Sequence, residues 1–187
     1  CTLINVLVEG NRGHNMGLRL RGPNTLINVT TSNNYKRYPD DELLGVHIDY
    51  GHINLVNCIF MDKLYVNDWA ETTLNLSNNI TFVGTEYSNS SMVTINDWGG
   101  NISMDAQFAD TTNNDYSLSA LSPCISAGIA SITMQDQNGN DVEYTAPEDD
   151  VDGNPRPNPD GSLPDMGAYE SPYGVAPHYG PVWHVDG

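Results

Sequence analysis

The sequence predicts an all-β solenoid, a parallel β-helix of about five coils, and three observations carry that expectation. First, Leu3-Ile4-Asn5-Val6, Leu26-Ile27-Asn28-Val29 and Leu55-Val56-Asn57-Cys58 are one strand written three times, at spacings of 23 and 29 residues. A looser copy, Phe82-Val83-Gly84-Thr85, follows 27 residues on. A period in the twenties with one short apolar strand per copy is how stacked repeats look in sequence. Second, an alternating strand precedes each later copy. Third, the chain is rich in turn formers, with twenty-two Asn and 17 Gly, and such residues disfavour long helices.

The elements follow in order. Gly17-Leu18-Arg19-Leu20-Arg21 leads into Leu26, Gly45-Val46-His47-Ile48-Asp49 into Leu55, and Thr73-Leu74-Asn75-Leu76-Ser77 into Phe82. Met92-Val93-Thr94-Ile95-Asn96 precedes Ile102. Alternation marks a strand with one buried face. Leu18/Leu20, Val46/Ile48, Leu74/Leu76 and Val93/Ile95 are therefore expected to point inward and stack. The rows Arg19–His47–Asn75–Thr94 and Arg21–Asp49–Ser77–Asn96 are expected on the outer face, with Tyr50 and Trp98 just beyond. Coils pairing in parallel at ~4.8 Å build a stack ~24 Å tall. A leucine-rich horseshoe lacks its helical segment here, and a β-sandwich does not repeat whole coils in phase.

Length and charge set further bounds. The 187 residues suffice for one sizeable core, and the net charge of −17 excludes nucleic acid as a partner. The same charge argues against an anionic membrane surface, and no apolar run is long enough for membrane insertion. Three cysteines without metal-type spacing define neither a zinc site nor a disulfide framework. Cys58 stands where Val6 and Val29 stand, so it reads as a small packed hydrophobe. The first strand starts directly at Cys1, with no signal peptide before it. The chain thus reads as a piece of a longer precursor whose first coil exposes a raw apolar end. Upstream β-helix coils, a neighbouring chain or self-stacking are the partners expected there.

Residues 3–11, 26–34 and 55–63 resemble the rung consensus of right-handed parallel β-helix proteins, I-x-N-x-x-F-x-x-N. The aromatic slot holds Val8, Thr31, Phe60 and Tyr87, and the closing Asn slot holds Asn11 and Asn34, then Lys63 and Ser90. Downstream, Asp105-Ala-Gln-Phe108, Asn114-Asp-Tyr-Ser-Leu118 and Ser122-Pro-Cys-Ile-Ser-Ala-Gly128 are similar to a segment that closes β-helices of secreted bacterial proteins. Ser126 replaces its usual Asp. Asp152-Gly-Asn-Pro-Arg-Pro157 and Asp165-Met-Gly-Ala-Tyr-Glu170 resemble the terminal motif of the choice-of-anchor Q family. The resemblance implies coils over residues 1–128 and an irregular acidic C-terminal cap over 129–170. It also implies an extracellular or cell-surface protein. The Pro- and Gly-rich 171–187 reads as a linker to a following module.

The candidate residues fall into three groups. The exposed strand face offers Arg19, Arg21, His47 and Asp49 for uronate chemistry, as in β-helix polysaccharide lyases. It also offers Tyr50, Asn75, Asn96 and Trp98 for ligand contact. The alternative there is an Arg21–Asp49 surface pair. Two acidic loops present oxygen donors for calcium: Asp136, Asn138 and Asp141 in one, Asp150 and Asp152 in the other. The alternative is a solvated turn in each case. Asn5, Asn28 and Asn57 recur in the repeat and read as structural. Asp152, Arg156 and Asp165 do so within the terminal motif, Arg156 pairing with one of the two carboxylates. Sequons begin at Asn28, Asn75, Asn79, Asn89 and Asn101. No nucleophile elbow or phosphate loop is present. The leading function is a non-catalytic structural or glycan-contacting module. A fragment of a polysaccharide lyase or hydrolase, and a fibre subunit, are the alternatives.

Overall fold

A computed structural model describes residues 1–13, 17–36, 44–67, 69–81 and 91–174. Among them the fold is all-β. In chain order the strands are β1 (Thr2–Glu9), β2 (Arg12–Gly13), β3 (Leu18–Arg21), β4 (Asn24–Ser32), β5 (Tyr35–Lys36), β6 (Leu44–Val56), β7 (Ile59–Phe60) and β8 (Lys63–Val66). They continue as β9 (Thr72–Ser77), β10 (Ile80–Thr81), β11 (Val93–Asp97), β12 (Phe108–Asp110), β13 (Asp115–Leu118), β14 (Ser131–Gln135) and β15 (Asp141–Thr145).

Nine of these form one curled, parallel sheet with three ribbons. The first ribbon runs β1, β4, β6, β9, β11, in register: Leu3 pairs with Leu26, Leu26 with Leu55, Leu55 with Leu76 and Leu76 with Asp97. The repeat seen in sequence is therefore a pairing register. The chain then bends at Asn5, Asn28 and Asn57, each at a φ near +52°, and at Asn78, φ 51°. Asn tolerates this left-handed conformation better than other side chains, because its short amide bonds locally. Beyond the bend lies the second ribbon, where Val6 pairs with Val29, Thr31 with Phe60 and Thr81 with Phe60. The third ribbon is β3, β6 and β8, with Leu18 opposite Val46 and Leu20 opposite Ile48. Leu20, Leu26, Val46, Ile48, Leu55, Phe60, Leu64 and Leu74 form the core that the ribbons enclose, and Cys58 packs among them. Cys58 is thus the small hydrophobe expected, its thiol pushed up to about 12 by burial.

Two expectations are corrected. The fourth repeat copy is Leu76-Ser77-Asn78-Asn79, only 21 residues after Leu55, because Asn78 makes the bend. Phe82–Thr85, Tyr87 and Ser90 lie outside the described residues. Leu74 and Leu76 belong to the first ribbon, opposite Ile53 and Leu55, and not to the Leu18/Val46 column. The Leu18/Val46 column is completed by Leu64 and Val66 of β8, opposite Val46 and Ile48.

Outward side chains of two ribbons are apolar and covered. Ile27 and Val56 lie beneath the antiparallel β14–β15 hairpin, against Met134 and Tyr144. Ile59 and Ile80 lie beneath Ala106, Leu118, Cys124 and Met166. The segment expected as an irregular cap thus contains a regular hairpin. It also runs along the Asn bends. Asn78 Nδ2 donates to Ala127 O (2.9 Å), Asn57 to Ile129 O (2.9 Å), Asn28 to Asp165 O and Gly167 O (3.0 Å each), and Asn5 to Asp149 O (2.5 Å). Ile129 N returns a bond to Asn57 Oδ1 (2.8 Å). The bend column therefore fastens residues 127–167 along the flank of the sheet, from the bend after β9 back to the one within β1. Gly167 (φ 90°) lies so close that a Cβ would sit 2.5 Å from Ile59 Cδ1.

Asparagine ladders bind strand to strand elsewhere. Asn96 donates to Asn75 (2.8 Å), Asn75 to Asn54 (2.7 Å), and Asn54 to Tyr144 Oη (2.9 Å). Asn11 donates to Asn34 (2.9 Å) and Asn34 to Asp62 Oδ2 (2.7 Å), so Asp62 carries on the ladder expected to lapse at Lys63. Asn79 donates to Asn101 Oδ1 (3.1 Å). Each amide offers both donor and acceptor, so identical residues stacked in parallel satisfy one another.

Candidate functional site

The third ribbon gathers the charged candidates. β6 carries a bulge against β3: Leu20 faces Ile48, but Arg21 faces Tyr50, leaving Asp49 as the extra residue. A bulge re-aims a side chain, and Asp49 is only 1% exposed. The expected Arg21–Asp49 pair forms, but its carboxylate is buried and shared with Arg19, so Asp49 acts as a clamp. Its Oδ2 accepts from Arg19 Nε (2.8 Å) and Arg21 Nε, and its Oδ1 from Arg19 Nη2 (3.0 Å) and Asn67 Nδ2 (3.0 Å). Burial pushes the Asp49 carboxyl up, but the Arg19 and Arg21 hydrogen bonds outweigh it and hold it down at about 2. Charge-assisted bonds of this kind fix guanidinium planes in space. The arginines remain 40% and 58% exposed.

His47 lies opposite Arg19 on one side and Tyr65 on the other. Its ring meets Tyr65 edge-on at 5.0 Å, with Nε2 3.3 Å from Asp49 Oδ1. Burial lowers its pKa against the pull of Asp49, so the imidazole is neutral at pH 7. Tyr50, exposed midway along β6, meets Trp69 edge-on at 6.0 Å. The site is thus two presented guanidinium groups beside a half-exposed aromatic pair. Tyr65, Asn67 and Trp69 went unread in the sequence. The short Lys63-Leu64-Tyr65-Val66 alternation was the signal that would have found the first.

The other ligand candidates lie elsewhere. Asn75 and Asn96 belong to the first-ribbon ladder, and Asn75 is buried beside Asn54, which the hairpin's Tyr144 meets. Trp98 follows β11 at the far edge of that ribbon, its N–H bonded to Leu76 O (2.8 Å), away from Tyr50. Asn28, Asn75 and Asn79 are buried, which removes three sequons from use in the folded chain; Asn89 lies outside the described residues.

The calcium candidates are turned toward N–H groups. Asp136 Oδ1 accepts from Asn138 N (2.8 Å) and Asn140 N (2.9 Å), which hold its carboxyl below the usual range. This closes the β14–β15 turn, and Asp141 begins β15. Burial pushes Asp150 up, but N–H groups of Glu170 and Asn154 outweigh it. Its Oδ1 also accepts from Asp152 N (2.8 Å), and the Asp152 side chain is exposed. Among the described residues no group of three or more His, Cys, Asp or Glu is arranged to hold a metal.

Arg156 is buried and binds backbone. Nη1 donates to Asp165 O and Gly167 O (3.1 Å each), Nη2 to Ala168 O (3.2 Å), and Nε lies 3.3 Å from Glu170 Oε2. Its carboxylate partner is Glu170, not Asp152 or Asp165, whose Oδ1 instead accepts from Ser126 N (2.7 Å). Burial and the Asp165 charge push Glu170 up to about 7 against the attraction of Arg156.

No family of known proteins, no curated protein and no solved structure matches this chain. Among the described residues, no helix is long and apolar enough to cross a membrane.

Proposed function

We propose that the chain is a non-catalytic module, a right-handed parallel β-helix of about five coils in a secreted or cell-surface protein, whose third ribbon contacts an anionic glycan. In-register parallel pairing of the repeats and three ribbons joined at Asn bends support the coiled architecture. The choice-of-anchor Q resemblance of the terminal motif supports the surface location. One observation carries the glycan reading: Arg19 and Arg21, locked on Asp49, stand beside the Tyr50–Trp69 pair. Fixed guanidinium groups suit sugar carboxylates or sulfates, and exposed aromatic rings suit the apolar faces of sugar rings. Asp49 already accepts four donors, which favours holding a ligand over abstracting its proton.

Calorimetry with polygalacturonate and a neutral glucan of equal length tests this. The expected result is binding to the uronate polymer alone, weakened by salt and reduced at least tenfold by Arg21→Ala or Trp69→Ala. No binding to either polymer overturns the glycan reading. Release of unsaturated products, with or without calcium, overturns the non-catalytic one.

A further inference from the structure

We propose that copies of this chain stack head to tail, with β1 of one copy pairing in parallel with β11 of the next. Among the described residues β1 pairs only with β4, and β11 only with β9. These are opposite edges of one parallel ribbon, running in the same direction. A copy translated along the stack by about 24 Å, five strands at ~4.8 Å, meets its neighbour with hydrogen-bonding edges already aligned. Such a contact is heterologous and propagates without closing.

Side chains at the two edges are complementary. At the β1 edge a cavity of about 440 Å³ opens between Leu3, Leu18 and Leu20, with Arg19 and Arg21 also lining it. At the β11 edge Ile95 continues the Ile53–Leu74 column yet is 38% exposed, and Trp98 beside it is 48% exposed. Asp97 stands where Leu3, Leu26, Leu55 and Leu76 stand in earlier strands. Its carboxylate stays exposed and already accepts from Gly99 N (2.8 Å) and Asn101 Nδ2 (2.7 Å), so the column ends there without needing a counter-ion from the next copy.

Sedimentation velocity of the full chain across a hundredfold concentration range, at low and high salt, tests the proposal. The expected result is a concentration-dependent series of elongated oligomers that strengthens at high salt, which screens the repulsion between copies each carrying −17. Ile95→Lys should leave the chain monomeric and Leu121→Lys, on an exposed site (83%) away from either edge, should not, with circular dichroism showing both folded. Should Ile95→Lys fail to fold, Ile95→Pro, which removes an N–H on the open side of β11, replaces it. A wild-type chain monomeric throughout overturns the proposal, as do oligomers that persist in the edge variants. A monomeric wild type with an assembling Asp97→Leu variant makes Asp97 a guard against stacking and also overturns it.

Discussion

Asn57 concentrates three roles in one side chain. It holds a φ of 53°, donates to Ile129 O and accepts from Ile129 N. Replacing it with Ala imposes left-handed strain and strands two backbone groups, a loss of about 2–4 kcal/mol. Asn57→Gly restores the conformational freedom but not the bonds, so it should recover only about 1 kcal/mol of that. Chemical denaturation of both variants checks the division; equal losses would mean that the strain contributes nothing. Asp49 makes a second case. Its folded pKa of about 2 lies below the ordinary 3.8, so its contribution is complete above pH 4 and vanishes as pH falls towards 2. Asp49→Asn should therefore lower the melting temperature at pH 5 and differ less from wild type as pH approaches 2.

At the scale of elements, the first ribbon was legible because three things coincided at Leu3, Leu26 and Leu55: an inward Leu, an outward Ile or Val, and an Asn able to bend the chain. The fourth copy escaped because its column changes from Val and Cys to Asn79, and its Leu-Ser-Asn-Asn looks like a turn. That error shifted Leu74 and Leu76 into the wrong ribbon and extended the Arg19–His47 row, which the structure forms, to Asn75 and Thr94 of another ribbon. β8 escaped because four residues give only two alternations. The β14–β15 hairpin was read as acidic loop since Asp136-Gln-Asn-Gly suggests oxygen donors for a cation, whereas the carboxylate is consumed by the turn's own N–H groups. Asp49 could not be placed, because a bulge is invisible in a two-residue period. Arg156 fastens the flanking segment through three backbone carbonyls. Arg156→Met leaves Glu170 buried without its cation and should cost about 3–5 kcal/mol, and limited proteolysis should then cut first within residues 127–170. Unchanged protection would exclude this anchoring role.

Across the whole molecule, electrostatics set the working range. A net charge of −17 repels itself in the compact state, so added salt should raise the melting temperature. Glu170 acts in the same sense as this repulsion. Its folded pKa of about 7 lies above the ordinary 4.5, so the folded chain binds more protons in that window and stability declines as pH rises from 4.5 through 7. With Asp49 titrating at the acid end, maximum stability is expected between about pH 4 and pH 6. Thermal melts from pH 2 to 9 should trace that maximum, and Glu170→Gln should flatten its alkaline side. A melting temperature that climbs steadily to pH 8 would contradict the Glu170 assignment, and one that does not fall below pH 4 would contradict that of Asp49.

The bend column also orders events in time. Asn5 and Asn28 are made early in synthesis, but their partners are Asp149, Asp165 and Gly167, roughly 140 residues later. Tyr116 likewise returns to Glu9, across 107 residues. Each of these strands can find its neighbour as soon as the next repeat emerges, yet its flank stays unsealed until residues 149–167 are made. Contacts of such sequence separation make that closure slow. Meanwhile the amides on that flank are answered only by water, and residues 149–167 decide when it is sealed.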